Sequence, residues 1–281
     1  MDKKEIMMRY IKHAFMFFLF IQSSNLLAVS FVGSVVVRNL EATTVAAESG
    51  DANAQYDLAN RYSYGYGVPQ NYENAIVWLR KSAAQQYPDA QLMLGKAFEF
   101  GYGVIPDYQQ AIRWYQKALE SYMKADQQGD IHAKISIGHI YKYGLGVQQN
   151  DKQALFWYQQ AHAQYQKTAL EGNVEAECGL GRMYLGGELE KDTSMAIEWL
   201  NKAAMHGHAE SQLMLGNIYF SGLDVQISYF QAYIWYSLLA FNRDADIINW
   251  RNEVANELTS EQLKDAQIKI QEYQRKIANL N

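Results

Sequence analysis

A single cysteine, Cys178, and three prolines occur in 281 residues. One thiol cannot build an intramolecular disulfide framework or a cysteine-based zinc site. So few prolines, set beside 21 tyrosines, argue against a loop-rich chain and for long helices packed through aromatic rings. Positive charge is not in excess: 25 Lys and Arg face 30 Asp and Glu, and without residues 1–30 the balance is 21 against 28. The resulting net charge of -7 repels phosphate backbones, and no basic stripe overrides it, which argues against nucleic acid as a partner.

Charge of either sign is missing between Lys12 and Arg38. Lys3, Lys4, Arg9 and Lys12 precede an apolar run from Ala14 to Ile21, and the small residues Ala28-Val29-Ser30 follow. This order reads as a secretory signal. An uncleaved membrane anchor is the competing reading. The polar Gln22-Ser23-Ser24-Asn25 in mid-span, costly to bury in hydrocarbon, favours cleavage. Both readings export everything after Arg38, so the expected location is the periplasm, the periplasm-facing inner membrane, or outside the cell.

What the chain has in abundance is itself. Tryptophans fall at positions 78, 114, 157, 199 and 235, each preceded at three residues by Ala75, Ala111, Ala154, Ala196 or Ala232. Four residues before each alanine stands an N-cap type, namely Asn71, Asp107, Asn150, Asp192 or Ser228. Gln110, Gln153 and Gln231 complete a capping-box pattern in three copies. Upstream of each cap lies Leu58-Ala59, Leu94-Gly95, Ile137-Gly138, Leu180-Gly181 or Leu215-Gly216, followed at three residues by an aromatic side chain. A second small residue (Ala54, Ala90, Ala133, Ala176, Ser211) shares that face at helical spacing, so two helices can approach closely. Gly65-Tyr66-Gly67-Val68 and its copies end the first helix, and Gly129, Gly172 and Gly207 close the second. Each copy is helix, glycine turn, helix, short turn. Such a unit cannot bury its own apolar face, so five in a row predict an all-α, α/α superhelical solenoid.

These motifs resemble the Sel-one-like repeat family, relatives of the tetratricopeptide repeats, over about residues 49 to 240. The resemblance implies a right-handed α/α superhelix that acts as an adaptor or scaffold for other proteins. Bacterial members are often exported and tied to envelope or host-interaction roles.

The tryptophan spacings of 36, 43, 42 and 36 residues show two second helices lengthened by seven. Seven residues are about two turns and keep the buried face, so these helices are expected to form a projecting ridge. Beyond the repeats, residues 243–257 and a stretch begun by a Thr259 to Gln262 capping box read as two terminal capping helices. The chain thus divides into a signal peptide or membrane anchor (1–30), a linker (31–48), five repeats (49–242) and C-terminal capping helices (243–281).

Candidates for chemistry are few. Cys178 falls in a column with Tyr56, Leu92, Ile135 and Leu213 and reads as a buried inert thiol. His206 and His208 flank a glycine, but no third metal donor stands at useful spacing, so no metal is expected. Glu188, Glu190 and Asp192 read as a solvated loop, with Asp192 committed to its cap. Ser121 and Lys124 fit S-x-x-K, and Lys167-Thr168-Ala169 half-fits K-T-G, the pieces of a penicillin-recognising serine enzyme. Both lie in helical inserts without an S-D-N, so an enzyme is not expected, nor a cofactor. The polar position after each small residue, Asn60, Lys96, His139, Arg182 and Asn217, is expected to line an exposed face that binds a protein or peptide, with an acidic segment suiting its mild positive charge. The chain is expected to act as a monomer, touching membrane only through an N-terminal anchor.

Overall fold

A computed structural model describes residues 40–239 and 245–280, in which thirteen helices and no strands occur. The leader at 1–30 and the end of the last repeat at 240–242 lie outside the described residues. So do residues 31–39 and the first two residues of the predicted capping helix. Among the described residues no helix is long and apolar enough to cross a membrane.

Residues 40–48, expected as linker, form a helix, α1 (Leu40–Glu48). It packs on α2 (Ala52–Tyr64) through buried Thr43 and Ala47 and receives a hydrogen bond from the Gln55 side chain at the Ala47 carbonyl, 3.0 Å away. The first repeat's exposed side is thereby covered, which is why a helix and not a linker precedes it. The five repeats follow as hairpins: α2 with α3 (Tyr72–Ala84), α4 (Pro88–Phe100) with α5 (Tyr108–Gln127), and α6 (Ile131–Tyr143) with α7 (Asp151–Leu170). The last two are α8 (Val174–Gly186) with α9 (Thr193–Met205), and α10 (Ala209–Ser221) with α11 (Tyr229–Leu239). Helices α12 (Ala245–Ala255) and α13 (Ser260–Leu280) end the chain.

The chain divides into two compact units, one of residues Arg38–Thr168 and the other including Ala169–Asn281, and α7 runs across the division. In the first unit successive helices from α1 to α6 pack pairwise, and α7 lies on α6. In the second, α8 to α12 pack likewise and α13 lies on α11 and α9, with Tyr273 against Trp235 at 5.4 Å between ring centroids. One face of α13, Ala266 and Ile270, is buried and the rest is wet, as a terminal cap requires.

Each hairpin rests on one close approach. An added Cβ on Gly95 would lie 2.4 Å from Tyr115, on Gly138 2.4 Å from Tyr158, on Gly181 2.6 Å from Leu200, and on Gly216 2.5 Å from Tyr236. These plug residues stand directly after the tryptophans. The tryptophan marks the repeat in sequence, but its neighbour fills the hairpin: Tyr115, Tyr158, Leu200 and Tyr236 are buried, whereas Trp78, Trp114, Trp157 and Trp199 are half-buried. Three of those indoles are instead covered from outside by Lys81, Lys117 and Lys202, with ammonium to ring distances of 3.8 to 4.5 Å.

All five predicted caps form: Asn71, Asp107, Asn150, Asp192 and Ser228 accept from the backbone N–H three residues on. In the repeats, however, the capping boxes are only half made. Each cap's own N–H is taken by a carbonyl near the end of the first helix (Tyr62, Phe98, Tyr141, Tyr184, Tyr219), which closes the glycine loop and leaves no donor for the glutamine. The reciprocal box does form at α13, where Thr259 N–H donates to Gln262 and Gln262 N–H to Thr259.

Within the loops the second glycine has a job of its own. A Cβ on Gly103 would meet the Tyr72 backbone at 2.5 Å, so this turn seats on the start of the preceding repeat's second helix. In the last repeat Asp224 occupies that place, adopts φ 51, and accepts from Thr193 Oγ1 and Lys191 Nζ at the same helix start of its predecessor. Aspartate tolerates this left-handed conformation better than most residues.

Helices α5 and α7 have 20 residues against 13 in α3 and α9, as the spacing predicts. The inserts are less a bare ridge than expected, because Tyr122 and Tyr165 turn inward and are buried. Two turns preserve the apolar face, so the added length packs.

Replacing Gly138 or Gly216 with alanine is expected to destabilise the fold by about 1–3 kcal/mol through overpacking. Chemical denaturation followed by circular dichroism measures this. Alanine at Asp107 should cost about 1 kcal/mol from the lost cap.

Candidate functional site

The repeated polar position is less exposed than the sequence implies. Asn60 is 1 % exposed, enclosed as α2 is by α1, α3 and α4, and it belongs to the interior. Lys96, His139, Arg182 and Asn217 are half-buried. They lie beside the plug residues and acidic neighbours: Tyr236 donates to Asn217 Oδ1, His139 meets Tyr158 edge-on at 5.5 Å, and Arg182 Nη1 sits 3.3 Å from Glu210 Oε1. Lys96 lies in the field of Asp89 and Glu99. Burial pulls its ammonium below the ordinary lysine value, and the two carboxylates oppose that pull. The column's cations therefore already face anions, and the mild positive charge that favoured an acidic partner is neutralised locally.

Around Lys96 the first unit holds a polar network that spacing did not reveal. Tyr122 Oη donates to Asp89 Oδ1 at 2.6 Å, His132 Nε2 lies 3.5 Å from the same oxygen, and Tyr115 Oη donates to Glu99 Oε2 at 2.6 Å. Burial pushes the Asp89 carboxyl up, but the bonds from His132 and Tyr122 and the charge of Lys96 outweigh it and hold it below the usual carboxylate range. Tyr122 comes from the seven-residue insert of α5, so the insert's first visible use is to reach the start of α4. A signal existed, a tyrosine seven residues after Tyr115, but its partner lies 33 residues away.

Cys178 is buried, 1 % exposed, and burial pushes its thiol up to about 12. It is not isolated. Cys178, His208 and Glu210 bring Sγ, an imidazole nitrogen and a carboxylate oxygen within 4.8 Å of one another. The third donor that local spacing did not offer to His208 is thus supplied across the stack by α8, and a fourth residue, Glu175, has Oε1 3.3 Å from His208 Nε2. His206 is not in the group; its backbone ends α9. Asp192 serves as the cap expected of it.

The serine-enzyme pieces do not assemble. Ser121 is 9 % exposed on α5, Lys124 Nζ turns to Gln86 at 3.3 Å, and Thr168 sits inside helix α7 with Oγ1 donating to the Gln164 carbonyl. An open groove along α5, lined by Gln110, Arg113, Trp114, Gln116, Lys117 and Glu120, gathers side chains of one helix and no facing wall.

A family model described as Sel1 repeat matches residues 52–87, 88–121, 131–164, 174–208 and 209–240. No curated protein matches the chain. Among solved structures, a protective antigen of uropathogenic Escherichia coli displaying an SLR fold is 28% identical with a TM-score of 0.39, over 85% of this chain and 64% of that one. The chain thus spans less than two thirds of that antigen's length. A Sel1 repeat protein from Oxalobacter formigenes is 27% identical over 79% of this chain and 84% of its own, with a TM-score of 0.31. A sel1 repeat protein from Klebsiella pneumoniae is 21% identical over 74% and 95% respectively, with a TM-score of 0.34.

The Asp89 network carries a pH signature. A carboxyl held low when folded contributes stability that is present above its unfolded value and is lost as pH falls through the folded one. Stability of the wild type should therefore fall more steeply from about pH 5 to about pH 2 than that of Asp89→Asn, a difference read from denaturation midpoints across that range.

Proposed function

We propose, from the premise that the chain belongs to the Sel1 repeat family, that it is an exported interaction scaffold which holds a protein or peptide segment against the first helices of its repeats. Sel1 repeat proteins are generally scaffolds for protein partners. One observation carries the reading: the hairpins share a backbone plan down to the cap and the plug, while the position after the small residue changes from Lys96 to His139 and from Arg182 to Asn217. A uniform frame bearing unlike polar groups is what recognition of an extended partner needs, whereas catalysis needs groups gathered at one point.

The half-buried, charge-compensated setting of these residues fits a partner that brings both hydrogen-bond donors and acceptors. Lys96 with Glu99, and Arg182 with Glu210, each offer a cation and a carboxylate together. Such pairs exchange partners on binding with less desolvation cost than a lone charge. Export rests on the leader alone: the cations before Ala14, the apolar run and Ala28-Val29-Ser30. The envelope is the destination it supports, with secretion towards a host as the further outcome.

Crosslinking capture from an envelope fraction tests the reading. Charge reversal at Lys96 or at Arg182 is expected to reduce capture of the same partner at least about tenfold, the scale of a lost charged contact at an interface. Capture unchanged by both reversals overturns the assigned face. Sequencing of the mature protein is expected to begin at Phe31, and a start at Met1 would replace the cleaved leader by an anchor.

A further inference from the structure

We propose that Cys178, His208 and Glu210 form a binding site for a borderline-soft divalent cation of the zinc type, bridging the fourth and fifth repeats. The donor set is the first argument. Thiolate, imidazole and carboxylate together are characteristic zinc ligands, and few other roles bring the three to one point. Their atoms already lie within 4.8 Å of one another. Donors sharing one zinc stand about 3 to 4 Å apart, so closing the site takes about an ångström of side-chain movement.

Position is the second argument. Cys178 lies in α8, His208 is the residue that caps α10, and Glu210 is in its first turn, so the ligands come from two successive hairpins that pack in one unit. Cys178 is buried and fixed by its helix; His208 and Glu210, with side chains 14% and 15% exposed, stand between it and solvent. The cation thus has a closed inner wall and an entry path. Glu175, whose side chain is mostly exposed, touches His208 from outside the three-residue group, which leaves the fourth position to water.

Two existing contacts set the terms of binding. His208 Nδ1 lies 2.9 Å from Ser211 Oγ and accepts from the Ser211 N–H, which holds the ring in place. Arg182 engages Glu210 and competes with a cation for it. Binding replaces the thiol S–H bond with a metal–sulfur bond and releases that proton to solvent; the imidazole ligates through Nε2, so the proton it holds there moves to Nδ1, which then donates to Ser211 Oγ in place of accepting from the Ser211 N–H, with no change of oxidation state.

The test uses the full chain without added metal, titrated with Co²⁺ and then Zn²⁺. One equivalent of Co²⁺ should produce the near-ultraviolet absorption of a thiolate–cobalt bond, Zn²⁺ should abolish it, and saturating Zn²⁺ should raise the melting temperature. Cys178→Ala should remove the absorption. His208→Asn, which keeps a good cap while deleting the imidazole, and Glu210→Gln should each weaken binding at least about tenfold, while Arg182→Gln should strengthen it. Circular dichroism shows which variants keep the fold, and His208→Asn is the one chosen to do so. Cobalt binding without thiolate absorption, or affinity unmoved by His208→Asn, overturns the proposal.

Discussion

The structure depends on a side chain lying directly on the backbone of the helix it faces. At Gly95, Gly138 and Gly216 a tyrosine ring occupies the space a Cβ would need, and at Gly181 a leucine does. Close packing of this kind gains dispersion contacts along the whole ring and fixes how near the two helices stand. Once that distance is set, the glycine-ended loop is held to seven residues in four hairpins and to six between α8 and α9. The cap's N–H can then return to the carbonyl near the end of the first helix, and the next hairpin is delivered at a reproducible place. Asp224 shows how firmly the loop is held, for a non-glycine residue there takes the same left-handed turn and bonds the preceding helix start with its side chain.

A frame so determined by backbone and plug leaves the rest of each first helix chemically free. That freedom is used differently in the two units. In the first, Lys96, Asp89, Glu99, Tyr122 and His132 form a network in which every charge has an opposite within reach. In the second, Arg182 meets Glu210, and Cys178 and His208 stand beside them. Low-dielectric surroundings make such groups costly to leave unmatched, so compensation in the free protein is the condition on which polar recognition groups can sit half-buried at all.

Much of this was legible in the sequence, and the reasons differ by residue. The caps at Asn71, Asp107, Asn150, Asp192 and Ser228 are local chemistry, repeated often enough to stand out, and so are the left-handed glycines that end each first helix. The Thr259 and Gln262 box was legible for the same reason. The plug is hard to see because it alternates between leucine and tyrosine beside an invariant tryptophan; composition draws attention to the indole, while burial belongs to its neighbour in every repeat and to the indole as well only at Trp235. The half-made boxes at Gln110, Gln153 and Gln231 depend on a backbone bond from the cap to a carbonyl nine residues back, which no local motif shows. Asn60 went astray because an unforeseen helix, α1, and the next hairpin enclose α2. Lys96 and Arg182 were correctly seen as cations, but the carboxylates facing them, Asp89, Glu99 and Glu210, are arranged by folding. The meeting of Cys178 with His208 is likewise a product of stacking, hidden from any spacing rule that looks along one helix.

The central claim, that ring on glycine sets each hairpin, is tested most directly by a double-mutant cycle at Gly138 and Tyr158, read by equilibrium denaturation. The first repeat, which pairs Ala59 with Leu79 in one core cluster, supplies the logic. If the claim holds, Tyr158→Leu recovers most of the stability lost in Gly138→Ala, with a coupling energy above about 1 kcal/mol. Losses that simply add would contradict it.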